Sequence, residues 1–270
     1  MGKRLFHWLG VAAVAALFSG SALAGIAATK HNLTAGSGNK TTSTDQICVF
    51  CHTPHASDTT TSVPLWNKAL PLANTYTVYS SDSMQGTSTM AGSASLVCLS
   101  CHDGSQAMDS TVNAPGSGLG TTTNADGTKV IGPALNWSGT NQTGGKMNAN
   151  TVAMLGTDLR NDHPIGIPYC GGGLSAALAA TATSGTCSDA DFKAINTAQI
   201  GSNQAFWIDV TGGTAGTRQR TDVALYNRTN TPYVECGSCH DPHIEGSATQ
   251  VAFMRVTTAG SAICLACHNK

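Results

Sequence analysis

The sequence predicts a mostly irregular chain with short helices and a few short strands, held around something other than a large apolar core. Three observations predict it. Charged residues make up 11% and aromatics 6% of the 270 residues, against a usual charged share of about 25%. Glycine contributes 30 residues, and Ser, Thr and Asn are abundant throughout. Ten cysteines stand beside nine histidines, and both types fall in a regular pattern. The formal net charge of −1 excludes a basic nucleic-acid footprint and an acidic tail.

The chain opens as an address rather than as structure. Lys3 and Arg4 precede an apolar run from Leu5 to Phe18, and Ala22-Leu23-Ala24 supplies the small-x-small pattern that a signal peptidase accepts. The run is shorter than the ~20 residues a membrane span requires. Residues 1–24 therefore read as a signal peptide, with the mature chain expected to begin at Gly25. No cysteine follows the cleavage site, so a lipid anchor is not indicated. The expected location is the outer cell surface or beyond, with the periplasm as the alternative.

The next element is a motif that occurs four times. Cys48-Val49-Phe50-Cys51-His52, Cys98-Leu99-Ser100-Cys101-His102, Cys236-Gly237-Ser238-Cys239-His240 and Cys264-Leu265-Ala266-Cys267-His268 are all C-x-x-C-H, the pattern for covalent attachment of a c-type haem. Two thiols at this spacing add to the vinyl groups on one edge of the porphyrin, and the adjacent histidine ligates the iron. A single match could instead be a zinc half-site or a redox dithiol. Four matches behind a secretory signal favour haem, because zinc sites do not need a histidine after every second cysteine.

Setting aside His7 and the four motif histidines leaves His31, His55, His163 and His243. Four haems offer four distal positions, so the supply matches the demand. Methionine as a sixth ligand is the alternative. Bis-histidine ligation at all four sites is the expectation, and it implies low potentials, since methionine ligation raises them. His55 lies three residues beyond His52 and His243 three beyond His240. So short a segment, pinned at one edge by the thioethers, can hardly reach the opposite face of its own haem. Each is expected to ligate a different haem, which draws haems together.

The motifs form a repeat. Cys48 to His55 matches Cys236 to His243 as C-x-x-C-H-x-P-H, and each is followed by a C-L-x-C-H site preceded by Ala-Gly-Ser-Ala. This predicts a single tetrahaem domain over 25–270, with one haem pair at about 31–104, an insert at about 105–230 and a second pair at about 231–270. The stretch Asn113 to Gly145 reads as loop. Short helices are expected at the motifs, and another from Ser188, where Ser188-Asp189-Ala190-Asp191 resembles an N-cap and acidic first turn. Thr75 to Tyr79, Ala205 to Val210, Asp222 to Tyr226 and Val251 to Val256 are candidates for short strands. Too few residues remain for a separate pocket around each haem, so the haems are expected to supply much of the core. Cys170 and Cys187 lie outside the motifs. In an oxidising compartment they are expected to form a disulfide rather than two free thiols, worth about 3 kcal/mol in the chain-entropy model.

The sites Cys48 to His55 and Cys236 to His243, the stretch Asn161-Asp162-His163-Pro164 and the closing Cys264 to Asn269 resemble the doubled-motif multihaem c-type cytochromes. They are most similar to the tetrahaem extracellular cytochromes of metal-reducing bacteria that polymerise into conductive filaments. The resemblance implies bis-histidine haems stacked in a continuous chain, with one distal histidine supplied by the neighbouring subunit. The stretch around Cys170 to Cys187 does not match that pattern.

Three functions are to be weighed. The first is an electron conduit assembled as a filament outside the cell, its redox partners being other cytochromes or extracellular acceptors. End sites with little flanking chain are hard to bury within one subunit, and a head-to-tail contact of the open-filament kind would cover them. His55 is the first choice for an inter-subunit ligand, with the haem at His268 as its target and His31 as the fallback. The second is a monomeric periplasmic electron shuttle. The third is an oxyanion reductase, which needs an open iron position. No C-x-x-C-K occurs and the histidines suffice to close every iron, so the chain is not expected to be an enzyme.

Overall fold

A computed structural model describes residues 25–34, 38–113, 122–123, 129–130, 135–210, 212, 216–245 and 253–270. The expected signal peptide, residues 1–24, lies outside them. Among the described residues no helix is long and apolar enough to cross a membrane.

The insert holds the main departure from expectation. Six strands, β1 (Ile167–Pro168), β2 (Ser184–Gly185), β3 (Ile195–Ile200), β4 (Asn203–Ile208), β5 (Val223–Arg228) and β6 (Thr231–Val234), pair in the order β2-β3-β4-β5-β6-β1. Every pairing is antiparallel, and the sheet curls into a half-barrel. The expected fold class, mostly irregular chain with a few short strands around stacked haems, is therefore overturned. The physical reason lies in side-chain alternation. Phe206 and Ile208 face the same way, opposite Leu225 and Val223 on the neighbouring strand, while Trp207 and Ala224 point to the other face. Phe206, Ile208, Val223, Leu225 and Ile195 bury a polypeptide core with Tyr169, Cys170, Cys187 and Ala266. The sheet, most of which lies in the insert, thus builds an apolar core of polypeptide side chains that Ala266 of the fourth motif completes.

Tight turns fix the register. β3 and β4 are joined by Gly201-Ser202, with Gly201 at φ +60°, as a two-residue hairpin requires. β5 and β6 are joined by Thr229-Asn230, both at positive φ, and Asn227 accepts the Asn230 N–H at 2.8 Å to close that turn. The Cys170–Cys187 disulfide is formed, tying the turn after β1 to the segment after β2.

Short helices sit at the motifs. A 3₁₀ turn covers Ile47–Phe50, and α1 (Ser93–His102), α2 (Cys236–Cys239) and α3 (Ala262–Cys267) carry the other three. A second apolar cluster lies against α1, where Leu96 and Leu99 meet Tyr76, Ala91 and Leu159. The expected strand Thr75 to Tyr79 shortens to Thr77–Val78, paired in parallel with Asp158–Leu159. The expected helix from Ser188 does not form. Asp189 instead accepts the Asp191 N–H in a local turn, because the next residues are drawn away to pair with the C-terminal motif. In the run Val251 to Val256, Val251 and Ala252 lie outside the described residues, and Met254 forms an isolated bridge to His240 rather than part of a strand. Residues 114–121, 124–128 and 131–134 of the expected loop also lie outside; within the rest, Gln142–Thr143 and Lys146–Met147 form a small hairpin.

Candidate functional site

The motifs share one backbone geometry. The N–H of the motif histidine bonds to the carbonyl of the first cysteine at 2.8 Å for His52, 3.1 Å for His240 and 2.9 Å for His268. In α1 the same residues fall at helical i, i+4 spacing. One turn therefore presents both thiols and the imidazole on adjacent positions, as a haem edge needs. The motifs also run in spatial order. The Cys51 thiol lies within electrostatic reach of Cys101, the Cys98 thiol within hydrogen-bond reach of the Cys236 thiol, and Cys239 within electrostatic reach of Cys264.

The distal candidates meet the motif histidines in pairs. The rings of His31 and His102 are centred 6.0 Å apart, and those of His52 and His243 6.1 Å apart. Two imidazoles on opposite sides of one iron, each bonded at about 2.0–2.1 Å as imidazole nitrogens are to metals, have ring centres roughly 6 Å apart. His163 lies within electrostatic reach of His268. Among the described residues no histidine ring is stacked on or edged against His55, which is exposed, and His240 lies within electrostatic reach of His102, itself a motif histidine, and of Arg255. No group of three His, Cys, Asp or Glu side chains converges among the described residues.

The second ring nitrogens agree with this arrangement. His52 Nδ1 donates to the Pro64 carbonyl at 2.8 Å and His102 Nδ1 to the Ala153 carbonyl at 2.7 Å. A carbonyl only accepts, so the proton sits on Nδ1 and Nε2 keeps its lone pair for a metal. His163 Nδ1 faces its neighbour's carbonyl, that of Pro164, at 3.0 Å, and His31 bonds to the Pro242 carbonyl. Burial, helped by the nearby His102, lowers the His31 pKa to about 4, which keeps the ring neutral and able to ligate. The residues present fit a haem with two histidine ligands at the first two motifs.

Sequence reasoning missed the residues that hold the motifs together. Glu235, 1% exposed, stitches the second motif to the third. Its carboxylate accepts from the Ser95 hydroxyl and the Gly92 N–H of the α1 start and pairs with Arg228 of β5. Ser95 in turn accepts the Cys236 N–H at 3.0 Å. Gly92 is required here, since a Cβ would run into Arg228 and Glu235. Gly237, inside the third motif, is small for a similar reason: Tyr226 of β5 lies against it. At the fourth motif, Tyr169 and the Lys193 N–H both donate to the Cys267 carbonyl at 2.9 Å, and the Phe192 ring is centred 4.6 Å from that of His268. The sheet core therefore holds the last motif. Lys68 is fully buried beside the first, its ammonium donating to the Ala107 and Ser110 carbonyls at 2.8 and 2.9 Å. No sequence signal marks Glu235 or Lys68, because neither falls inside a motif.

Asp241 follows the third motif and faces several partners. Burial alone would raise its pKa, but hydrogen bonds from His243 and Arg220, with the charge of Arg255, hold it well below the usual carboxylate range.

A family model described as the doubled CXXCH motif matches residues 232–270, the span of the third and fourth motifs. No curated protein matches the chain. The match supports a multihaem c-type cytochrome that works in electron transfer with covalently bound haem c.

Proposed function

We propose that the exported chain carries four haem c groups, each ligated by two histidines, and conducts electrons along them as a head-to-tail filament outside the cell. Haem supplies the one-electron chemistry when bound; the polypeptide supplies ligands, spacing and shielding. The observation that carries the reading is the ring-centre separation of 6.0 Å for His31–His102 and 6.1 Å for His52–His243, the span that one iron bridges. The neighbourhood of His163 and His268 supports a third pair. Histidines that close every iron leave no position for a substrate, so the role is electron transfer rather than turnover.

His55 and His240 remain. His55 is too close along the chain to His52 to serve its own haem, and it is exposed. We assign His55 to the neighbouring subunit. The haem at His268 was the target that sequence reasoning offered. The proximity of His163 to His268 favours the haem at His240 instead. An iron–histidine bond across the junction favours assembly by mass action.

The test is His55→Ala, with haem loading checked. Soluble subunits with three low-spin haems and one high-spin or weakly ligated haem are expected. Normal filaments with every iron low-spin would overturn the assignment.

A further inference from the structure

The two C-x-x-C-H-x-P-H repeats differ at the x before proline: Thr53 in the first, Asp241 in the second. The structure shows what that difference does. Asp241 Oδ1 accepts the His243 backbone N–H at 2.9 Å and faces His243 Nδ1 at 3.1 Å. Its Oδ2 accepts from Arg220 Nε at 3.0 Å and lies 3.6 Å from Arg255. The Asp241 side chain is 10% exposed, so its charge is poorly screened by water. Thr53 offers no such partner, since its hydroxyl donates to the His55 carbonyl instead.

We propose that Asp241 is a positioning residue that lowers the reduction potential of the haem at the first motif, acting through His243. The inference rests on the reading that His52 and His243 ligate one haem. A carboxylate accepting the Nδ1 proton draws that proton toward itself and makes the imidazole a stronger donor at Nε2. A stronger donor stabilises the ferric state over the ferrous state, so the potential falls. Among the described residues, other distal or motif imidazoles meet neutral carbonyl acceptors: Pro242 for His31, Ala153 for His102, Pro64 for His52 and Pro164 for His163. The chain therefore grades its haems by the charge of one acceptor. Lys68 also lies near this motif, beside Cys51, and its positive charge pulls the other way. That contribution is constant across the variants below and leaves the sign of their shifts unchanged.

The same three residues reach further. Pro242, between Asp241 and His243, orients His31 through its carbonyl. One short turn thus supplies acceptors to two of the candidate distal histidines, one anionic and one neutral.

The experiment is a spectroscopic redox titration of the haem-loaded protein, with wild type first shown to hold four low-spin haems. If it does not, the ligation reading fails and the proposal falls with it. His243→Met marks the haem in question, because methionine ligation raises its potential. In Asp241→Asn that midpoint is expected to rise by a roughly tenfold change in its reduction equilibrium, about 59 mV for a one-electron step, and Asp241→Glu should restore it. Arg220→Gln, at a half-exposed position that tolerates change, removes a counter-charge and should move the same midpoint downward. Unchanged midpoints in Asp241→Asn, or an upward shift in Arg220→Gln, would overturn the proposal.

Discussion

The two repeats Cys48 to His55 and Cys236 to His243 share a spelling and differ in what holds them. The first is a 3₁₀ turn whose Cys48 is exposed and whose last histidine, also exposed, meets no other ring among the described residues. The second starts with a capping box, in which Glu235 and Ser238 exchange side-chain bonds with each other's backbone N–H, and its last histidine is gripped by Asp241. Glu235 adds a buried pair to Arg228 and bonds to α1. The difference teaches that two copies of one motif can be held very differently: the neighbours decide whether the last histidine is fixed against the chain or left exposed.

The comparison can be broken most severely at the histidines. His243→Ala should open one haem within the subunit, giving one high-spin iron that binds carbon monoxide in the reduced protein. His55→Ala should instead act at the subunit junction. If both variants lose the same haem within an isolated subunit, the two histidines do not differ as described.

Glu235→Ala sharpens the comparison at the next level. It takes the carboxylate acceptor from Arg228 Nη2, the Ser95 hydroxyl and the Gly92 N–H, while Arg228 Nη1 keeps Thr89 and Met90, at a cost on the order of 3 kcal/mol for breaking a largely buried pair. Thermal unfolding of the haem-loaded protein should register it as a clear drop in Tm. An unchanged Tm would mean that the second repeat is no better anchored than the first.

Thr53→Ala is the smallest step. It removes the 2.9 Å bond from the Thr53 hydroxyl to the His55 carbonyl and the acceptor for Asn113, worth about 1 kcal/mol. A loss comparable to that of Glu235→Ala would contradict the loose first repeat.

The histidine and cysteine spacing was legible because covalent chemistry dictates it: two thiols and an imidazole must fall on one turn. The Cys170–Cys187 bridge was legible from cysteine count. The sheet was not, although Ala205 to Val210 and Asp222 to Tyr226 were picked out as strands. What went unseen was the pairing of the strand ending at Ile208 with the one beginning at Val223, and with it an apolar core of polypeptide side chains. Composition averaged the Gly/Thr/Asn-rich stretch with Ile195 to Leu225 and concealed the alternation there. Glu235 and Asp241 were not legible either, since a lone acidic residue beside a motif looks like any solvated charge until Arg228, Ser95, Arg220 and Arg255 arrive from distant segments.

The central claim is four covalent haems, each closed by two histidines. Mass spectrometry of the denatured protein, purified from a host that attaches c-type haem, tests it most directly. The account predicts the polypeptide mass plus four haem groups. A mass with fewer than four would contradict it, because the one-to-one match between distal histidines and haems would then fail.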